Sequence, residues 1–264
     1  MAGLCKVSGV VEIPPTHKND MEIKPIAYFR SPFGEKFGVP RQAGLASELR
    51  GEIVFEPEYR DENALRGIAD FEYLWLIWGF SAVRDGAGSA TVRPPRLGGN
   101  EAVGVFASRS PFRPNRLGLS SVRLEGLHKK SGYGTVLSVL GADLMDGTPI
   151  YDIKPYLPYT DSHPTARAGF TDTASWQPLK VIFPEDLQAK FLSMISPASD
   201  SDFRTNDPSG EGLLRALTQT LSLDPRPRYH NDPDRTYGMS FAGLQVSFRV
   251  CGECVIVADI AEGL

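Results

Sequence analysis

Between Ile23 and about Phe170 the chain holds short β-branched and aromatic runs cut by Gly-, Pro- and Asn-containing turns, with no regular strand–helix alternation. That pattern disfavours a doubly wound parallel sheet, which needs a helix-length crossover after nearly every strand. Ile53-Val54-Phe55, Tyr73 to Trp78, Val103 to Phe106, Leu119 to Leu124 and Thr135 to Leu140 read as strands. Asp85-Gly86, Gly98-Gly99-Asn100 and Asp146-Gly147 are the turn signals between them. One short helix is expected after Asp61, an N-cap residue, with Ala64, Leu65 and Ile68 on one face. Many short strands and few helices make this region mainly β, a β-barrel-like domain.

After Trp176 the pattern changes. Leu187, Phe191, Met194 and Ile195 follow helical spacing, and a polar stretch, 196–209, reads as a linker or loop. Leu213, Leu214, Leu217 and Leu221 make a second amphipathic helix that stops at Pro225. Leu244 to Val250 and Val255 to Ile260 read as the arms of a hairpin. The expected division is a flexible leader (1–21), a barrel domain (22–175) and a small α+β C-terminal domain (176–264).

Composition narrows the class. Of 264 residues, 41% are hydrophobic and 23% charged, which is globular rather than disordered usage. The longest apolar run, Tyr73 to Phe80, is far short of the roughly 20 residues that cross a bilayer. Met1 to Pro15 lacks the apolar core of a secretory signal. Three cysteines are too few for a disulfide framework, which fits a reducing, cytosolic compartment. The net charge of −4 argues against a nonspecific nucleic-acid coat. Yet Arg84 to Arg123 holds seven arginines, no lysine, and only Asp85 and Glu101 against them. Guanidinium groups suit planar, bidentate contacts to phosphate or carboxylate, although surface charges and structural ion pairs would give the same count.

Three segments concentrate chemistry. Gly104 to Ser120 is a strand running into a loop stiffened by Pro111 and Pro114 and carrying Arg109, Arg113 and Arg116. Arg93 to Asn100 adds paired glycines that permit close backbone approach to a ligand. Asp143 to Tyr159 packs three carboxylates and three tyrosines into a turn-rich stretch. Carboxylates accept from ribose hydroxyls or amines, and rings stack on bases.

Together these segments resemble the TsaA-like (TrmO) family, whose characterised members methylate N6 of threonylcarbamoyl-adenosine in tRNA. The likeness covers Ile23 to Phe170. Gly104 to Asn115 looks like the family signature, Asp146 to Tyr156 matches a second block, and Lys36 to Gln42 matches a third. Asp224-Pro225-Arg226-Pro227 and Tyr237-Gly238-Met239 look like the family's extended form. Ser108 stands where the signature has Thr, and Ser81 where the family has His.

The resemblance implies an S-adenosylmethionine-dependent methyltransferase on a β-barrel, acting as a homodimer, with no metal. By residue-to-residue carry-over, the cofactor lies against Pro40, Arg41, Gln42, Ser81, Ala82, Arg109, Leu119, Asp143, Leu144, Met145 and Asp146. An exocyclic adenine nitrogen is a weak nucleophile, so an acceptor for its proton helps; Asp152 is the candidate from residue type and location. Tyr156 or Tyr159 is placed to stack on an extruded base. Arg113, Arg116, Arg226, Arg228 and Arg235 are candidates for phosphates of the tRNA anticodon stem-loop. Other acceptors, or a non-catalytic RNA-binding barrel, are the rival readings.

Several conspicuous residues carry blander expectations. Trp75 and Trp78 are expected in the core. His128 reads as a solvent-facing turn residue beside Lys129-Lys130. Cys251-Gly252-Glu253-Cys254 reads as a two-residue hairpin turn flanked by cysteines rather than a metal site, because no second Cys pair or nearby His accompanies it.

Overall fold

The computed structural model describes residues 21–83, 88–98, 101–173, 177–195, 209–226 and 232–263. Outside them lie all but Met21 of the expected leader, Asp85-Gly86, Gly99-Asn100 and all but Ser209 of the polar stretch 196–209.

The first domain is built from β1 (Ala27–Arg30), β2 (Arg50–Phe55), β3 (Tyr73–Gly79), β4 (Thr91–Val92), β5 (Val103–Gly104), β6 (Leu117–Lys130), β7 (Gly134–Leu140) and β8 (Pro149–Pro155). Six of these form one antiparallel barrel in the order β1-β2-β7-β6-β3-β8, with β8 pairing back onto β1 through Ala27↔Ile150 and Tyr28↔Pro149. Strand alternation explains the interior. Leu74, Leu76 and Trp78 of β3 face inward, joined by Phe29, Ile53, Phe55, Val122, Leu137, Val139 and Ile150. Two glycines make room for rings. A Cβ on Gly51 would lie 2.2 Å from Phe29 Cζ, and one on Gly118 would lie 2.3 Å from Trp78 Cε2. The pair β4–β5 stands apart as a small flap.

Single-turn helices α1 (Pro158–Asp161) and α2 (Phe170–Thr173) lead into the second unit. There β9 (Lys180–Ile182), α3 (Glu185–Met194), α4 (Glu211–Ser222), β10 (Thr236–Phe241), β11 (Leu244–Cys251) and β12 (Cys254–Glu262) follow. The sheet order is β10-β11-β12-β9, and β9 runs parallel to β12. Its core holds Phe191, Leu213, Leu217, Leu221, Phe241, Phe248 and Ile260, together with Phe33, Ala46 and Leu49 from the long β1–β2 connection. That connection is therefore clamped between the barrel and the C-terminal sheet. The mainly β class with a barrel and an α+β C-terminal unit is as the sequence reads.

Several local expectations change. Only Val103–Gly104 of the Val103–Phe106 run is strand; Val105–Ala107 tightens into a 3-10 turn. The strand expected at Leu119–Leu124 runs on to Lys130, with an irregularity between Leu124 and Gly126. Asp61 does cap, accepting from Asn63 N at 2.9 Å, but the helix stops as a 3-10 turn at Leu65. Gly67, at φ +83°, then separates it from a second 3-10 turn. Strands β1, β4, β8, β9 and β10 are additional to the expected set, although β1 and β10 alternate cleanly between buried and exposed positions. His128 is not a turn residue. It lies within β6, its Nε2 3.1 Å from Oε1 of the fully buried Glu52, whose Oε2 accepts from Lys130 Nζ at 2.7 Å. The buried carboxylate is thus met by two basic side chains of one strand. Trp78 fills the core as expected, but Trp75 points outward.

Candidate functional site

The outward wall comes from strand register. Directly opposed residues of antiparallel strands share a face. Tyr73, Trp75 and Ile77 of β3 oppose Arg123, Ser121 and Leu119 of β6, while Trp75 and Ile77 oppose Lys154 and Asp152 of β8. Side chains of these three strands therefore form one outer face. Tyr156 continues it, its ring centroid 5.5 Å from Trp75 and 6.2 Å from Tyr73. Trp75 Nε1 donates to Asp161 Oδ2 at 2.9 Å, and Leu157 N donates to the same oxygen at 2.9 Å. The Leu157 amide and then the Trp75 indole hold the Asp161 carboxyl below its ordinary range. One carboxylate thus pins the indole and the corner where β8 enters α1.

Residues 117–122 of β6 pair with β3 only; β7 joins at Arg123. Beside that margin lies an open cleft of about 400 Å³. Tyr73, Trp75, Tyr156 and Asp161 line one side; Leu119, Ser120, Ser121, Arg109 and Ala43 complete it. Leu119 is 55% exposed, unusual for a strand leucine.

Behind the Ser120 wall of the cleft stands the half-buried Asp143. Ser120 Oγ donates to its Oδ1 at 2.5 Å and accepts from Trp78 Nε1 at 2.9 Å. The indole, pinned in the core, orients the hydroxyl toward the carboxyl. Burial pushes the Asp143 carboxyl above its ordinary range. The Ser120 hydroxyl, the Arg109 guanidinium and the Ala43 amide oppose that shift without cancelling it. A partly desolvated carboxyl just behind the cleft wall suits a cationic or amine-bearing ligand.

The structure brings several expected cofactor residues together. Arg109 Nη1 donates to Gln42 Oε1 at 2.6 Å, joining the proline-stiffened loop to the Pro40-Arg41-Gln42 segment. Gln42 also donates to the Arg41 carbonyl. Arg109 and Leu119 line the cleft, and Asp143 meets Ser120 behind it. Leu144 is 1% exposed in the barrel core, so only its backbone is left for a ligand. Met145 is half-buried; its carbonyl accepts from Thr148 Oγ1 at 2.7 Å. Asp146 closes the turn structurally, accepting from Ser31 N at 3.0 Å. Its own amide donates to the Phe33 carbonyl. Ser81 and Ala82 lie exposed in the turn after β3.

The expected phosphate contacts have local partners. Arg113 Nη1 donates to the Ser108 and Ser110 carbonyls at 3.2 and 3.3 Å. Arg116, at φ +49°, donates to the Val83 carbonyl at 3.1 Å. Arg226 Nε meets Asp224 at 3.0 Å, and Arg235 lies 5.4 Å above the Tyr237 ring. Arg228 falls outside the described residues. Ser108, in the signature's Thr position, uses its hydroxyl to donate to the Val105 carbonyl at 2.9 Å. Asp152 is half-buried on the outer face, accepting from Ile153 N and paired with Lys154 at 3.0 Å.

Sequence reasoning missed Tyr73, Trp75, Ser120, Ser121 and Asp161 as site residues. Tyr73 to Trp78 is apolar on both faces, so periodicity does not tell which rings point out. Asp161 carried one faint signal, an acidic residue four positions after Leu157 in a Pro-initiated turn.

The residues present fit a sulfonium cofactor with an amino-acid tail. Asp143 and the backbone of the Asp143–Asp146 turn would face its charged end, with Arg109 and Gln42 beside them. Among the described residues no cluster of His, Cys, Asp or Glu is placed to hold a metal ion. Nor is any helix long and apolar enough to cross a membrane.

Comparison with known proteins gives one answer for both halves. The tRNA-methyltransferase O N-terminal domain matches residues 28–162, and the TrmO C-terminal domain matches residues 177–263. A tRNA (adenine(37)-N6)-methyltransferase of Escherichia coli is 36% identical over 236 residues, 88% of this chain and 94% of that one. A putative S-adenosylmethionine-dependent methyltransferase of Pseudomonas aeruginosa is 38% identical over 243 residues, 91% of this chain and 98% of that one. A crystal structure of TrmO superposes with a TM-score of 0.71 at 32% identity, covering 91% of this chain and 99% of that chain. The chain belongs to the tRNA-methyltransferase O family.

Proposed function

We propose that this chain transfers a methyl group from S-adenosylmethionine to N6 of adenosine 37 in tRNA, and that the accepted adenosine carries a threonylcarbamoyl group. The observation that carries the reading is the cleft itself. It sets the Arg109 guanidinium and Leu119 beside three aromatic rings, with the half-buried Asp143 carboxyl held behind its Ser120 wall. Family membership and the names of the Escherichia coli and Pseudomonas aeruginosa relatives support the reaction and the cofactor. The threonylcarbamoyl substituent rests on the resemblance of the signature blocks and on the local chemistry.

When bound, the cofactor supplies an already activated methyl group, so the chain's part is alignment, worth up to several kcal/mol. Arg109 in the cleft and Asp143 behind its Ser120 wall hold one partner. Tyr156, Trp75 and Tyr73 offer faces on which an unpaired adenine stacks, about 1–3 kcal/mol per base. An N6 carrying a carbonyl substituent has a delocalised lone pair and a more acidic N–H. Asp152 shares the outer face with Trp75, and its side chain is 45% exposed, which leaves its carboxylate open to that N–H. Three cations surround the rings: Arg109 at the cleft, Arg123 opposite Tyr73 and Lys154 opposite Trp75. Any of these suits the threonylcarbamoyl carboxylate.

The same reading gives the barrel (22–175) the chemistry and the C-terminal unit (176–264) a share in docking the anticodon stem-loop. It implies a cytosolic homodimer, and light scattering of the purified chain tests the dimer directly. For the reaction, labelled S-adenosylmethionine is incubated with tRNA with and without threonylcarbamoyl, and the product is digested to nucleosides. Label in the modified adenosine only when threonylcarbamoyl is present is the expected result. Label in unmodified adenosine would reassign the substrate; label in neither, despite cofactor binding, would overturn the tRNA reading.

A further inference from the structure

Hairpin β11–β12 turns through Gly252-Glu253, with Gly252 at φ +59° and Glu253 outside the positive-φ region. A glycine at the first of two central positions is the arrangement of a type II′ hairpin turn. Cys251 and Cys254 flank the turn as direct register partners. Opposed residues in an antiparallel ladder have Cα atoms about 4.5–5.5 Å apart, inside the 4.4–6.8 Å range that disulfides span. The next pair, Val250 and Val255, is 1% and 0% exposed and faces the core, so both cysteine side chains point the other way. Both thiols are free; Cys251 is exposed and Cys254 half-buried. Lys180 is the register partner of Cys254 on the far side, and Arg249 stands two residues before Cys251 on the same face. Two cations therefore flank the pair, and Glu253 sits in the turn between the cysteines.

We propose that Cys251 and Cys254 are a reversible dithiol–disulfide pair that reacts with anionic low-molecular-weight disulfides of the glutathione type. The Cys251 thiolate attacks the small disulfide, forming a mixed disulfide and expelling one small thiolate. The Cys254 thiolate then attacks the Cys251 sulfur, closing the protein disulfide and expelling the second small thiolate. The two protein thiols lose two electrons and two protons, and the small disulfide is reduced to two thiols. Exposure assigns the order: Cys251 meets the reagent, and Cys254 resolves. The closed bond ties the strand ends together at the tip of the C-terminal sheet. Because the pair lies outside the cleft, this inference stands independently of the proposed reaction.

The test uses the full chain with glutathione disulfide at several ratios to glutathione, followed by alkylation and trypsin. Cleavage after Arg249 releases residues 250–264, which hold both cysteines and separate them from Cys5. The expected product is this peptide two hydrogens lighter and unalkylated, restored by dithiothreitol, with its fraction following the glutathione ratio. In Cys254→Ser, Cys251 should instead stop as a glutathione mixed disulfide, while Cys251→Ser should react slowly. Two alkylated cysteines at every ratio would overturn the proposal. So would a lasting glutathione adduct on the unaltered chain, or disulfides linking separate chains.

Discussion

At the residue scale, Asp143 shows how the fold sets chemistry. Its carboxyl is raised by burial, so the folded chain favours the protonated form. That contribution to stability is present at low pH and is lost as pH rises from the ordinary aspartate range through the raised one. If the carboxylate is the form that meets a cationic ligand, cofactor affinity should strengthen over the same rise. Ser120 opposes the shift by donating to the charged form. Ser120→Ala should therefore move the midpoint of the affinity–pH curve upward, by calorimetric titration at several pH values; an unchanged midpoint would separate Asp143 from binding. Part of this was legible: Arg109 and Gln42 stand in recognisable blocks, and Asp143 opens the carboxylate-rich segment beside one. The Trp78–Ser120–Asp143 chain was not, because its three members come from β3, β6 and the turn after β7, and only the pairing of β3 with β6 and of β6 with β7 brings them together.

At the element scale, β3 and β6 carry the site by offering one face to the core and the other to the cleft. The outward set includes Trp75, which sequence alone assigns inward, because a strand apolar on both faces has no readable period. Two consequences are measurable. Gly118→Ala puts a methyl group into the Trp78 ring, and overpacking of this kind costs roughly 1–3 kcal/mol or more. Denaturant unfolding should show that loss, and an unchanged midpoint would mean that the ring moves freely. Asp161, held low by Leu157 N and the Trp75 indole, contributes stability above the ordinary aspartate range that is lost as pH falls through its lowered value. Asp161→Asn should flatten the acid side of the stability curve. It should also raise KM for tRNA more than it lowers kcat, because it loosens a stacking ring rather than a reacting group.

At the scale of the whole molecule, the C-terminal sheet supports the barrel segment that carries the proposed cofactor residues Pro40, Arg41 and Gln42. Phe33, Ala46 and Leu49 lie in the C-terminal core. Ala242 N donates to the Pro32 carbonyl at 2.7 Å, and Glu48 N donates to Gln219 Oε1 at 2.9 Å. A Cβ on Gly38 would touch Met239 Cε at 3.0 Å. The segment that presents Pro40-Arg41-Gln42 is thus shaped partly by α4 and β10, roughly 170 to 200 residues away in sequence. No local pattern encodes such a contact, whereas the helices at 185–194 and 211–222 and the final hairpin were plain from spacing. Met239→Ala, at a fully buried position, should cost about 2–5 kcal/mol. It should also weaken cofactor binding although Met239 lies outside the cleft; unaltered affinity would make the C-terminal unit independent of the site.

The most direct measurement is thermal stabilisation by S-adenosylmethionine in the unaltered chain and in Asp143→Asn. A ligand at a hundred times its Kd stabilises the folded state by about 2.7 kcal/mol, roughly 5–10 °C for a domain of this size. The midpoint of the unaltered chain should climb with ligand concentration, and that of Asp143→Asn should stay flat. An equal climb in both chains, or none in the unaltered one, would contradict the placement of the cofactor at this cleft.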